Sequence, residues 1–173
     1  YIVDQLQDLG APISTIRLVK LLYLIDLEHY DHYYKTLTGI EWVKYDHGPY
    51  FFALPEVIGS ACLDLEPEEV ETTRGKGVTF RSLETQDISG VVRFPVQAMI
   101  DRILKQWAHE DTPILLEHVY GTLPVRCGTY RQPLDFTLET DHLLLEHAVE
   151  TASNFLTIYE LIADYDERAV NDG

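Results

Sequence analysis

Histidine is the side chain that titrates near neutral pH without help from its surroundings. This chain places one, His47, in the run Lys44-Tyr45-Asp46-His47-Gly48-Pro49-Tyr50-Phe51-Phe52. Acid–base work there would need a nucleophile nearby. No Gly-x-Ser-x-Gly elbow occurs, and neither Cys62 nor Cys127 stands in a nucleophile context or in a Cys-x-x-Cys pair. His47 is therefore expected to hydrogen-bond backbone and fix a corner where a strand meets a helix. A second cluster, Glu28, His29 and His32, has spacings that put pairs on one helix face. It lacks the His-Glu-x-x-His order of metalloproteases and the repeated Glu-x-x-His of di-iron bundles, so a solvated helix end is expected and no metal or other cofactor is assigned. Neither glycine-rich phosphate loop occurs, and Arg74-Gly75-Lys76-Gly77 is too short to be one.

The elements that must position these residues can be read from periodicity. The 173 residues suffice for one domain with a core, or one domain plus an appendage. Residues 14–37 predict a long helix capped by Ser14, with Ile16, Val19, Leu22, Tyr23, Ile25 and Leu27 apolar. Leu18, Leu21 and Leu24 fill its other side, which makes it the centre of the core. Thr38-Gly39 ends it and Ile40–Tyr45 predicts a short strand. Gly48-Pro49 is expected to stop strand pairing and open a helix over 49–63, kinked at Pro55. A β-hairpin is expected over 68–83, with Val70 and Thr72 facing Val78 and Phe80 across a turn at Arg74–Gly77. Val96, Met99, Ile100, Ile103, Leu104 and Trp107 make one face of a further helix, and a shorter one, Pro113–Leu123, follows. From Asp135 onward ten acids face one base, Arg168, and a helix over 143–165 is expected to pack its apolar stripe on the domain or on a partner. The expected fold class is α+β, predominantly α-helical: a helical core with a short strand and a β-hairpin.

The formal charge of −16 repels phosphate backbones and anionic lipids, which argues against free nucleic acid and membrane surfaces as partners. With no apolar run long enough to span a bilayer and no basic-then-apolar leader at Tyr1, the expected location is cytoplasmic.

The run KLLYLIDLEHYDHYYKTLTGIEWVKYDHGPYFFALPEVI resembles the signature of the Panacea domain, the SocA-like family of phage-associated proteins. Its pieces are Lys20–Leu24, Thr38-Gly39, Trp42–Tyr45 and Gly48-Pro49, in that order. LLEHVYGTLPVRCGTYRQPLDF is similar to the family's closing segment, so the resemblance covers 1–136 and leaves 137–173 as an acidic C-terminal helix. The resemblance implies a non-enzymatic antitoxin that neutralises a cognate toxin encoded by a neighbouring gene, commonly by direct binding and in one branch by handing it to a protease. The acidic surface makes a basic toxin the expected partner. Tyr45, His47, Gly48, Pro49, Tyr50 and Phe51 are the expected partner-binding corner. Two competing functions are open to the same chain: a winged-helix-like transcription regulator with Arg74 and Lys76 on the hairpin and Arg17 and Lys20 assisting, and a metal-dependent hydrolase built on His29, His32 and His47.

Overall fold

The computed structural model describes residues 1–54, 56–57, 65–72, 75–83, 90, 92–151 and 153. Helix α1 (Ile2–Asp8) leads to the long α2 (Thr15–Tyr33), followed by strands β1 (Val43–Tyr45) and β2 (Gly48–Tyr50). Strands β3 (Leu65–Thr72) and β4 (Gly75–Ser82) form the second hairpin. Helices α3 (Phe94–Trp107), α4 (Thr112–Gly121) and α5 (Leu123–Cys127) follow, and a final helix, α6, covers 137–151. The protein is predominantly helical α+β, with two small antiparallel strand pairs.

Helix α2 starts where Ser14 accepts a hydrogen bond from the Arg17 amide, and stops at Tyr34, whose φ of 54° ends the helical path. Leu21, Tyr23 and Ile25 are all but fully buried, as a central helix requires, although Ile16 faces solvent. The predicted face of α3 is buried at all six positions, and Leu115 and Val119 bring α4 into the same cluster. Tyr23 packs edge-on against Trp42 and Phe136, and Trp42 against Phe51, so an aromatic chain joins α2 to the β1/β2 corner and to the start of α6.

The structure departs from the sequence-based expectations at four places. Gly48-Pro49 does not stop pairing: β1 and β2 pair with Val43 opposite Tyr50 and Lys44 opposite Pro49. Lys44 donates its amide to the Gln132 carbonyl and accepts from the Arg131 amide, both on its other side, so the missing proline N–H is not needed. After Tyr50 the chain passes through a turn at 52–53, where the Leu54 amide donates to the Phe51 carbonyl, before residues 54, 56 and 57 turn helical, in place of the long helix expected from Pro49; residues 58–63 lie outside the described part. In the second hairpin Glu69 opposes Val78 and Pro67 opposes Phe80, with Thr72 opposite Gly75, so the strands run on through Gly75-Lys76-Gly77 and the connection is Thr73-Arg74, outside the described residues. At the C-terminus, helix begins at residue 137 and, from Asp141 to Thr151, every described side chain is exposed; the expected stripe members beyond Ser153 lie outside the described residues.

Candidate functional site

The corner at 45–52 is shaped by one buried lysine. Lys20 is 3% exposed on α2, and its Nζ donates to the carbonyl oxygens of His47 and, at 2.9 Å, Pro49. Burial pushes its pKa down to about 8. The two carbonyls supply the negative ends that keep an ammonium tolerable there. Gly48, between them, has a φ of +82°, and a Cβ on it would lie 2.4 Å from Cε1 of Tyr120. Only glycine combines that backbone with that approach. The corner is thus held by the Lys20 side chain on two carbonyls and not by the expected bond from the His47 side chain, which is exposed.

At the end of β2 and into the turn after it, successive side chains alternate: Tyr50 is half-buried, Phe51 buried and Phe52 exposed. Tyr50 and Phe52 share the outer face and contact each other and Tyr45, with ring centroids 5.7–5.8 Å apart. Phe51 points inward and is 4% exposed, so this side chain, expected at the surface, belongs to the core, as do Gly48 and Pro49. Tyr45, Asp46, His47, Tyr50 and Phe52 line a recess of about 340 Å³ with Lys20 at its base.

The segment at 130–134 completes this surface. Leu134 donates its amide to the Trp42 carbonyl, and the Tyr130 hydroxyl donates to Asp46 at 2.8 Å. Tyr130 stacks on Tyr45 at 5.5 Å and 12°, with the Arg131 guanidinium 5.3 Å from the Tyr45 centroid and 5.4 Å from that of Tyr130. Phe52, Tyr130 and Arg131 were not among the sequence-derived residues. Strand alternation could have shown Phe52; nothing local relates Tyr130 and Arg131 to Tyr45, more than 80 positions away.

Two further charges of α2 are structural. Arg17, 2% exposed, donates to the carbonyls of Trp107, Ala108 and Glu110, closing the C-terminal end of α3, where a helix favours a cation. Asp26, fully buried, accepts from the Leu37 and Thr38 amides, the Thr38 hydroxyl and the Trp42 indole N–H. Those four donors saturate a carboxylate that has no cation beside it in this set. Arg17 and Lys20 therefore cannot assist nucleic-acid binding.

The basic tip expected of a wing falls on Arg74, outside the described residues, and on Lys76, whose side chain is outside them too. Strand β3 presents Glu66, Glu68 and Glu71 to solvent, and Arg81 of β4 pairs with Glu66 and Glu68, so the described part of the hairpin is acidic where a wing on DNA needs cations. His29 is buried with Nδ1 2.7 Å from the Lys35 carbonyl, whereas His32 is exposed beside Glu28. Among the described residues no group of three or more His, Cys, Asp or Glu side chains could hold a metal ion. Among them, too, no helix is long and apolar enough to cross a membrane.

The domain is thus helical α+β, with Arg17 and Lys20 of its core helix on backbone carbonyls, Asp26 on backbone and side-chain donors, and a glycine-proline corner carrying a solvent-facing aromatic surface. The family profile "Antitoxin SocA-like, Panacea domain" matches residues 18–121, and the chain belongs to that family. The match spans α2, the corner, the second hairpin and α3 through α4. No curated protein and no solved structure matches the chain.

Proposed function

We propose that this protein neutralises a cognate toxin by binding it directly, and that the aromatic surface of the 45–52 corner is one of its contacts. The observation that carries the reading is the family match over 18–121, which includes the corner. The physical character of the surface supports it. Tyrosine and phenylalanine supply large, stiff contact area, the type that dominates binding energy at interfaces. The charge of −16 favours a basic toxin and speeds encounter with it. Tyr45, Tyr50, Phe52 and His47 are the side chains able to touch it; Gly48, Pro49 and Phe51 serve by fixing the shape. Binding comes first whether the toxin is then simply occluded or passed to a protease.

The test is co-purification of the protein encoded by the adjacent reading frame on a tagged full-length chain, with Tyr45→Ser/Phe52→Ser as the comparison. These rings are partly or largely exposed, so the variant should keep its melting temperature within a few degrees and lose at least about tenfold in affinity. Undiminished capture by the variant would remove the corner from the interface.

A further inference from the structure

The described part of α6 leaves the body of the protein in two stages. Its root is docked: Phe136 is buried against Tyr23 and Tyr30, Glu139 accepts from the Leu123 amide at 2.8 Å, and Thr140 is 3% exposed. From Asp141 the helix touches solvent all round, yet it is not a polar helix. Leu143, Leu144, Leu145 and Val149 are 42%, 57%, 65% and 59% exposed. Leu145 and Val149 are four apart and share a face. Such a concentration of exposed large apolar side chains on one short element marks an interaction surface.

A groove at the foot of this helix opens on the side of Glu139 and Leu143. About 180 Å³ of space lies between α6, α2 and α3, floored by Leu24, Leu27, Ile103 and Trp107 and continued outward by Leu143. Its rim includes Glu28, Asp31 and Glu139. Arg102 pairs with Glu28, which leaves Asp31 and Glu139 to set the local charge along with the helix itself. Residues 132–151 contain five carboxylates and no lysine or arginine. Leu145 and Val149 lie about 200–240° round the helix from Leu143, so the apolar face of α6 looks away from this groove; that face, with Asp141 and Glu146 beside it, is the complement of a basic amphipathic helix. A second copy of this chain is a poor occupant, because it would bring the same carboxylates and a further −16 of charge against them.

We propose that the apolar face of α6 is the seat for a cationic amphipathic helix of the toxin, so that partner choice resides largely outside the segment matched by the family profile. This rests on the toxin-binding reading and names the chemistry of the partner. The seat is remote in sequence from the corner, and the two contacts can be removed separately.

The experiment compares the full-length chain with Leu145→Gln/Val149→Gln, which keeps helix propensity and charge while removing the apolar face. Three quantities are read: capture of the adjacent frame's product at low and high salt, the mass of the free chain by light scattering, and its melting temperature. The expected result is capture by the wild type that weakens as salt rises, and at least about a tenfold loss in the variant. The free chain should keep its mass and melting temperature on substitution. Equal capture by both chains overturns the proposal. So does a wild-type dimer that the variant converts to monomer, which would assign the face to a second copy. A lower melting temperature of the free variant would assign it to the chain's own residues and overturn it likewise. If even the wild type captures nothing at either salt, the toxin-binding reading itself falls and the seat with it.

Discussion

Asp26→Ala is expected to lower the melting temperature by roughly 6–12 °C or more. The substitution leaves three N–H groups without their acceptor, those of Leu37, Thr38 and the Trp42 indole. Each orphaned buried donor costs about 1–3 kcal/mol. Even the low end sums to about 3 kcal/mol, and in a chain of this size about 2–4 °C accompanies each kcal/mol. A domain with about 5–15 kcal/mol in reserve would survive this only in part. Asp26→Asn should cost less, since an amide oxygen still satisfies some of the donors, but its NH₂ must face others. Thermal melts of the three chains by circular dichroism decide it. Equal melting of wild type and Asp26→Ala would mean that the carboxylate does not hold the Thr38-Gly39 turn and Trp42 in place.

The second large effect belongs to Gly48→Ala, for which a loss of about 2–5 kcal/mol is expected. A left-handed conformation at a residue bearing a Cβ costs about 1–2 kcal/mol, and forcing an extra methyl into packed surroundings typically adds about 1–3. The two parts can be separated. The new Cβ would collide with Cε1 of Tyr120 at 2.4 Å and Cδ1 at 2.9 Å. In a Tyr120→Ala background the collision disappears, and Gly48→Ala should then cost only the backbone part. Chemical denaturation of the four chains in this cycle gives both numbers. If Gly48→Ala costs the same in both backgrounds, Tyr120 does not close the corner from behind.

Residues with strong helical periodicity were legible from the sequence, and the physical reason is that burial alone selects them. The stripe from Val96 to Trp107 and the all-round apolar α2 are cases in which a face must be apolar whatever it meets. The buried charges of α2 were less legible. Arg17 reads as a surface base until its acceptors, about 90 residues away, are known, and Asp26 carries no local mark at all. There was a signal: a helix with no polar side that still holds Arg17, Lys20 and Asp26 must bury charges, and buried charges require partners. The corner was misread because Pro49 ordinarily ends a strand. That rule yields where the opposite residue, here Lys44, directs its backbone groups to a different segment. Reading 50–52 as helix in turn hid the alternation that places Tyr50 and Phe52 outside and Phe51 inside. Tyr130 and Arg131 complete the surface through tertiary contact alone, which a single sequence does not encode locally.

The surface that results is rigid by the same devices. Lys20 secures the corner carbonyls, Asp26 secures the approach to β1 through Trp42, and residues 130–134 lie along the far edge of β1. Pre-ordering of this kind reduces what binding must spend on immobilising side chains, so a modest aromatic surface can hold a partner firmly.

The most direct measurement is growth of a host expressing the protein of the adjacent reading frame, with and without this chain from an independently controlled promoter. The account predicts that the neighbour alone arrests growth, that this chain restores it, and that Tyr45→Ser/Phe52→Ser and Leu145→Gln/Val149→Gln together abolish the rescue while the chain remains folded and present at wild-type level. A neighbour that is harmless alone, or a toxic one that this chain leaves fully active, would contradict it.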